Sequence, residues 1–139
     1  MALVLYSYIL LSRSGSTEDG LLEAREIMTL NLNADIAILS ACDTARGRIS
    51  SGEGVMGMTW ALFVAGCART VVSQWSVESQ STTKLMIGFH RSLLARNKQS
   101  TRMRNAAAAL RDAQLKLLRT SSSSHPFYWA AFVVIGDGW

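Results

Sequence analysis

Apolar and polar positions alternate along this chain in short blocks, and each block predicts an element. Tyr6 to Leu11 is an apolar run closed by the Ser-rich stretch Ser12 to Thr17, which reads as a strand and a turn. Leu21 to Leu30 sets Leu22, Ile27 and Leu30 near one side of a short helix. Ile36-Ala37-Ile38-Leu39 is an unbroken apolar run, the signature of a strand buried on both faces, and it ends abruptly at Ser40. The polar, glycine-bearing stretch Thr44 to Gly54 reads as a loop, followed by a largely apolar helix from Val55 to Ala65 that Gly66 closes. Thr70 to Gln74 predicts a second buried strand, and Ala131 to Ile135 a closing one. Between them, Glu78 to Ala95 predicts an amphipathic helix with Leu85, Met86, Phe89, Leu93 and Leu94 on its apolar stripe. A further helix is predicted over Thr101 to Leu118, where Ala106, Leu110, Ala113 and Leu117 recur at helical spacing, and Ser121 to Ser124 is a loop.

Strands that alternate with helices argue for an α/β fold with mostly parallel strands. The sheet is thin, and a purely parallel sheet needs both outer strands covered, so part of a larger domain is expected to be absent. In that case an apolar edge beside Ile36 to Ser40 is exposed, and the isolated chain is expected to self-associate.

Composition narrows the classes. With 139 residues, 49% apolar, 17% charged and one proline, the chain suits one compact unit and not a disordered or fibrous one. The net charge of +4 is unevenly placed. Lys84 to Arg119 holds nine basic residues and one acid, Asp112, a net +8 that leaves the remainder at −4. Phe89 alone is aromatic there and lies on the apolar stripe, so no stacking platform for nucleic acid is visible; a solvated helix face or a dock for an acidic partner segment remains. Two cysteines and two histidines show neither a disulfide framework nor zinc spacing, so no metal is expected and a reducing, cytoplasmic setting is. Met1 to Leu11 lacks the basic region and cleavage site of a leader, and no apolar run reaches the roughly 20 residues of a bilayer span, so no membrane partner is expected.

Cys42 is the most informative residue. Ligands of open α/β sheets bind beyond the carboxyl ends of strands, and Cys42 stands two positions past Ser40 at such an end. A free Cys is also often a small buried hydrophobe, and spacing leaves both readings open. Gly52, Gly54 and Gly57 make a G-x-G-x-x-G run with Glu78 downstream, but it begins twelve positions after Ser40. A dinucleotide fingerprint needs its first glycine in a tight turn straight after the strand, so no cofactor is expected and the glycines read as a flexible loop meeting a helix.

Ser40-Ala41-Cys42-Asp43-Thr44, followed by Gly52-Glu53-Gly54-Val55-Met56-Gly57, resembles the nucleophile segment of CHAT domains, the caspase-like cysteine peptidases often fused to TPR repeats. The likeness continues through Ala65-Gly66, Val71-Val72 and Gln74-Trp75-Ser76-Val77. It closes with His125-Pro126-Phe127-Tyr128-Trp129-Ala130-Ala131-Phe132 and Ile135-Gly136-Asp137, and also includes Asp19-Gly20-Leu21-Leu22 and Ala24-Arg25-Glu26-Ile27. The resemblance implies a caspase-like three-layer α/β sandwich with a mostly parallel sheet, its N-terminal strands missing, so that residues 1–139 form one partial CHAT domain.

It also implies that Cys42 is the nucleophile that attacks a peptide carbonyl and forms a thioester. The family's base is a His of a His-Gly pair ending the preceding strand, upstream of the part matched by Tyr6 to Ser12; this chain is expected to begin too late to hold that His, or the Gly that helps form the oxyanion hole. Gln74, Trp75 and Ser76 lie where caspase-like folds pair substrate backbone as an added strand, or else Trp75 packs over the core. Asp43 either lines a pocket for a basic substrate side chain or caps the following turn. Cys67 takes a small-residue position and reads as core, His90 as a helix-surface residue, and His125 as a loop or helix-entry residue. Without a base, a thiol of pKa about 8.5 stays mostly protonated, so the chain alone is expected to be a poor peptidase. Protein or peptide substrates, and TPR repeats or another protein segment, are the implied partners. A non-catalytic interaction module of the same fold is the alternative.

Overall fold

In the computed structural model, residues 7–13, 15, 19–40, 51–96 and 105–137 are described, with the side chains of 51–54 and Arg96 excepted. The elements are strands β1 (Tyr8–Leu10) and β2 (Leu21–Glu23), helix α1 (Ala24–Ile27), strand β3 (Ala37–Leu39), helix α2 (Ser51–Val64), strand β4 (Arg69–Ser73), helices α3 (Ser79–Arg96) and α4 (Ala106–Leu118), and strand β5 (Phe132–Gly136). Short 3₁₀ turns at Ser121–Ser123 and Pro126–Tyr128 join α4 to β5. The result is a mixed α/β fold with two small sheets.

In the larger sheet the order is β3-β4-β5, with β3 and β4 parallel and β4 and β5 antiparallel. The expectation of mostly parallel strands is therefore corrected: of the two pairings in this sheet, one is parallel. The chain leaves β4 through α3, returns through α4, and enters β5 from the end where β4 finished, so β5 must run the other way. The strands are apolar on both faces because both are covered. Ile36 and Ile38 pack with Val71, Leu85, Phe89, Leu110 and Phe132 in the cluster of α3 and α4. Ala37 and Leu39, one residue out of phase, pack with Ile27, Met58, Leu62 and Cys67 in the cluster of α1 and α2.

Three further expectations change. The helix predicted over Leu21 to Leu30 begins as a strand, with Leu22 opposite Ile9 in a hairpin. Gly20 decides this: it takes φ +80, and an added Cβ would lie 2.8 Å from the Leu11 carbonyl that faces it. Helix α1 is left with four residues, started by a reciprocal capping box between Glu23 and Glu26, while Arg25 pairs with the Glu23 carboxylate. The glycine run, read as a flexible loop, lies in the first turns of α2, which starts at Ser51. Glycine disfavours helix interiors by up to ~1 kcal/mol, a cost that burial of Gly57, Met58, Ala61 and Leu62 against α1 and the sheet offsets. Leu94, predicted on the buried stripe of α3, is 63% exposed. Among the described residues no helix is long and apolar enough to cross a membrane.

Candidate functional site

Parallel pairing sets Leu39 of β3 beside Val72 of β4, so both strands finish at one end of the sheet. Antiparallel pairing sets Ser73 beside Phe132, so the approach to β5 lies at that same end. Three stretches distant in sequence thus meet there: the exit of β3 at Ser40, residues Gln74-Trp75-Ser76, and the turn from His125 to Ala131.

Hydrogen bonds fasten the last two together. The Gln74 amide donates to the Ala131 carbonyl at 2.9 Å, and the Trp75 indole N–H donates to the Phe127 carbonyl at 3.2 Å. Ser73 Oγ donates to the Trp75 carbonyl at 2.5 Å and closes the loop on itself. Behind the turn, the Gln114 amide reaches from α4 to the carbonyls of Trp129 and Phe132 at 3.1 and 3.0 Å. The Trp129 indole donates to the Ser124 carbonyl at 3.0 Å. This is a preorganised platform: Gln74 and Ser76 are exposed, Trp75 is 38% exposed, and the exposed Phe127 meets Tyr128 edge to face at 5.4 Å.

Cys42 and Asp43 lie outside the described residues. Gln74, Trp75 and Ser76 stand together at the carboxyl end of β4, and Trp75 is neither wholly buried nor free, since one edge is tied to the turn. Cys67 is buried, and its Sγ donates to the Arg69 carbonyl at 3.1 Å. Its position among the apolar residues of α1 and α2 makes it a core residue.

The two histidines differ. His90 sits eleven residues into α3, a rise of ~16 Å from the end of the helix that follows β4. Its Nδ1 lies 2.7 Å from the Met86 carbonyl, which only accepts, so Nδ1 carries a proton and donates. His125 is the entry residue of the Pro126–Tyr128 turn; its Nδ1 accepts the Phe127 N–H at 3.2 Å. That turn brings His125 to the same sheet end as Trp75, which its sequence position gave no reason to expect. With Nδ1 accepting, a neutral ring has its proton on Nε2 and presents a donor there, not a base. Among the described residues no cluster of three or more His, Cys, Asp or Glu is placed to hold a metal.

Sequence reasoning did not single out Phe127 or Gln114 for this end of the sheet. The aromatic run Phe127-Tyr128-Trp129 was a usable signal for the first. Nothing marked Gln114, one polar residue on a helix, because its partners are backbone atoms fifteen and eighteen positions away.

The chain is 30% identical over 117 residues to tetratricopeptide repeat protein 28 of Mus musculus, and 29% identical over the same length to that of Homo sapiens. In each case the match covers 84% of this chain but 4% of the relative, so the chain spans a small fraction of the curated proteins it resembles. No solved structure matches it. Residues 4–137 match the CHAT domain family, nearly the whole of the sequence, and the chain belongs to that family.

Proposed function

We propose that this chain is the C-terminal part of a CHAT-type cysteine endopeptidase of caspase-like three-layer architecture, with Cys42 as its nucleophile. The observation that carries this reading is the parallel register of β3 and β4. It brings the carboxyl end of β3, at Ser40, to the sheet end that displays Gln74, Trp75 and Ser76. Cys42 follows Ser40 by two positions, and two peptide units reach at most ~7 Å, which supports a thiol within reach of that end. There a peptide can lie along the 74–76 segment as an added strand while its carbonyl meets the sulfur. Asp43, adjoining the nucleophile, is assigned to the substrate-binding rim.

The reaction requires a base that takes the thiol proton. The thiolate then attacks the carbonyl carbon, the amine departs with a proton, and water hydrolyses the thioester. Both imidazoles of this chain are otherwise engaged: His90 far down α3, His125 as a turn cap presenting a donor. The base is therefore assigned to another polypeptide segment, such as the family's His-Gly strand, and the isolated chain is a weak peptidase at best. A reducing, cytoplasmic compartment suits a mechanism that needs a free thiol.

The test is alkylation by iodoacetamide at pH 6, followed at Cys42 by mass spectrometry against glutathione. With the family's His-Gly strand joined ahead of residue 1, Cys42 reacts on the order of tenfold faster than glutathione, because an imidazole partner raises its thiolate fraction. A rate no greater than that of glutathione overturns the nucleophile assignment. The second reading, a non-catalytic protein-interaction module, then stands. The present engagement of both histidines favours it, and tetratricopeptide repeats of the kind named in the relatives are its proposed partners.

A further inference from the structure

Helix α3 has two faces with different periods. Ser81, Leu85 and Phe89 are buried, with Met86 and Leu93 beside them, against the sheet and α4. On the far side Gln80, Lys84, Ile87, Arg91 and Leu94 are all exposed. Their spacings run four, three, four, three. That is a heptad seam, with Lys84 and Arg91 at one core position and Ile87 and Leu94 at the other. Ile87 is 47% exposed and Leu94 63% exposed, although a solvated helix face has no use for large aliphatic groups between its cations.

Charge selects the occupant. No acidic residue occurs between Ser79 and Arg96. Glu78, just ahead of the helix, accepts from Ser81 Oγ at 2.8 Å, and Asp112 of α4 accepts from Ser92 Oγ at 3.3 Å on the packed side. His90 flanks the seam, adding no negative charge. We propose that the outer face of α3 docks an acidic amphipathic helix of a partner protein, which sets Leu or Ile against Ile87 and Leu94 and Glu or Asp against Lys84 and Arg91. Knobs from such a helix fill the holes between seam residues, and its carboxylates pair with the two cations. An anionic membrane fits less well, because the main apolar face of α3 is turned inward and two aliphatic side chains insert little area. Duplex nucleic acid would meet Ile87 and Leu94 with phosphates, which they cannot pair. This surface is independent of the sheet end assigned to Cys42.

Fluorescence anisotropy tests the proposal on the full chain. The probe is a synthetic three-heptad helix with Leu and Glu alternating along one seam; the controls are the same helix with Lys for Glu, phosphatidylserine vesicles and a mixed-sequence duplex. Expected is binding of the acidic helix in the micromolar range. It weakens about tenfold in R91E, a change of ~1.4 kcal/mol, and by a similar factor in L94A. Both residues are exposed, so circular dichroism should show both variants folded. Three outcomes overturn the proposal: no binding of the acidic helix at 100 μM probe; binding that R91E abolishes but I87A and L94A leave unchanged, which marks charge attraction without a seam; or tighter binding to vesicles or duplex than to the helix.

Discussion

The indole N–H of Trp75 donates to the backbone carbonyl of Phe127 at 3.2 Å, across 52 positions of sequence. The bond joins the exit of β4 to the turn that feeds β5, and so holds the aromatic rim of the candidate site in one arrangement. Its strength as a clamp is measurable. In Trp75→Phe the ring remains and the donor is lost, which costs roughly 0.5–1.5 kcal/mol of global stability at this partly exposed position. Hydrogen exchange at the Tyr128 to Ala130 amides is expected to accelerate severalfold, and the urea midpoint to fall by a few tenths of a molar or more, on the order of that loss divided by the denaturant slope.

Gln114 supports the same turn from behind. Gln114→Leu leaves the carbonyls of Trp129 and Phe132 without the amide that bridges them and is expected to destabilise by about 1–3 kcal/mol. Urea unfolding checks this, and an unchanged midpoint would mean that water replaces the amide freely.

Gly136 ends β5 at φ +109, where a Cβ would stand 2.7 Å from the Ala68 carbonyl and 3.1 Å from the Phe63 ring. Strain and collision act together in Gly136→Ala, and a loss of roughly 3 kcal/mol is expected, seen as a Tm lower by on the order of 10 °C.

Helix α2 exposes Met56, Trp60 and Val64 on one side, at 66%, 62% and 50%. Strand β3 has β4 on one side and, among the described residues, no second neighbour. Both features favour self-association of the isolated chain. Size-exclusion chromatography should show mass rising with concentration, and Trp60→Ser combined with Met56→Glu should reduce the effect without loss of helix content. A monomer at all concentrations would contradict the prediction.

Much of this was legible along the chain. Each main helix follows from periodicity, and strands β3 and β4 follow from short apolar runs, because a helix buries one stripe whereas a strand covered on both faces needs apolar residues at successive positions. Cys42 was singled out by its place after a strand, and family membership confirms the likeness on which its wider reading rests. Leu94 follows the Leu93 stripe in sequence but not in angle: one position on a helix is 100° of rotation, and the packing of Leu93 inward leaves Leu94 turned out.

The amino-acid sequence thus carries the inventory: apolar blocks, their periods, the charge imbalance and a cysteine two positions after an apolar run. Tertiary structure alone decided that Leu21 to Glu23 pairs with β1, that β5 runs against β4, and that His125, Phe127 and Trp75 share one end of the sheet. The physical reason is the range of the interactions. Helical and strand periods arise between residues a few positions apart, whereas strand direction and backbone-to-side-chain clamps join groups tens of residues distant, and no local pattern records them.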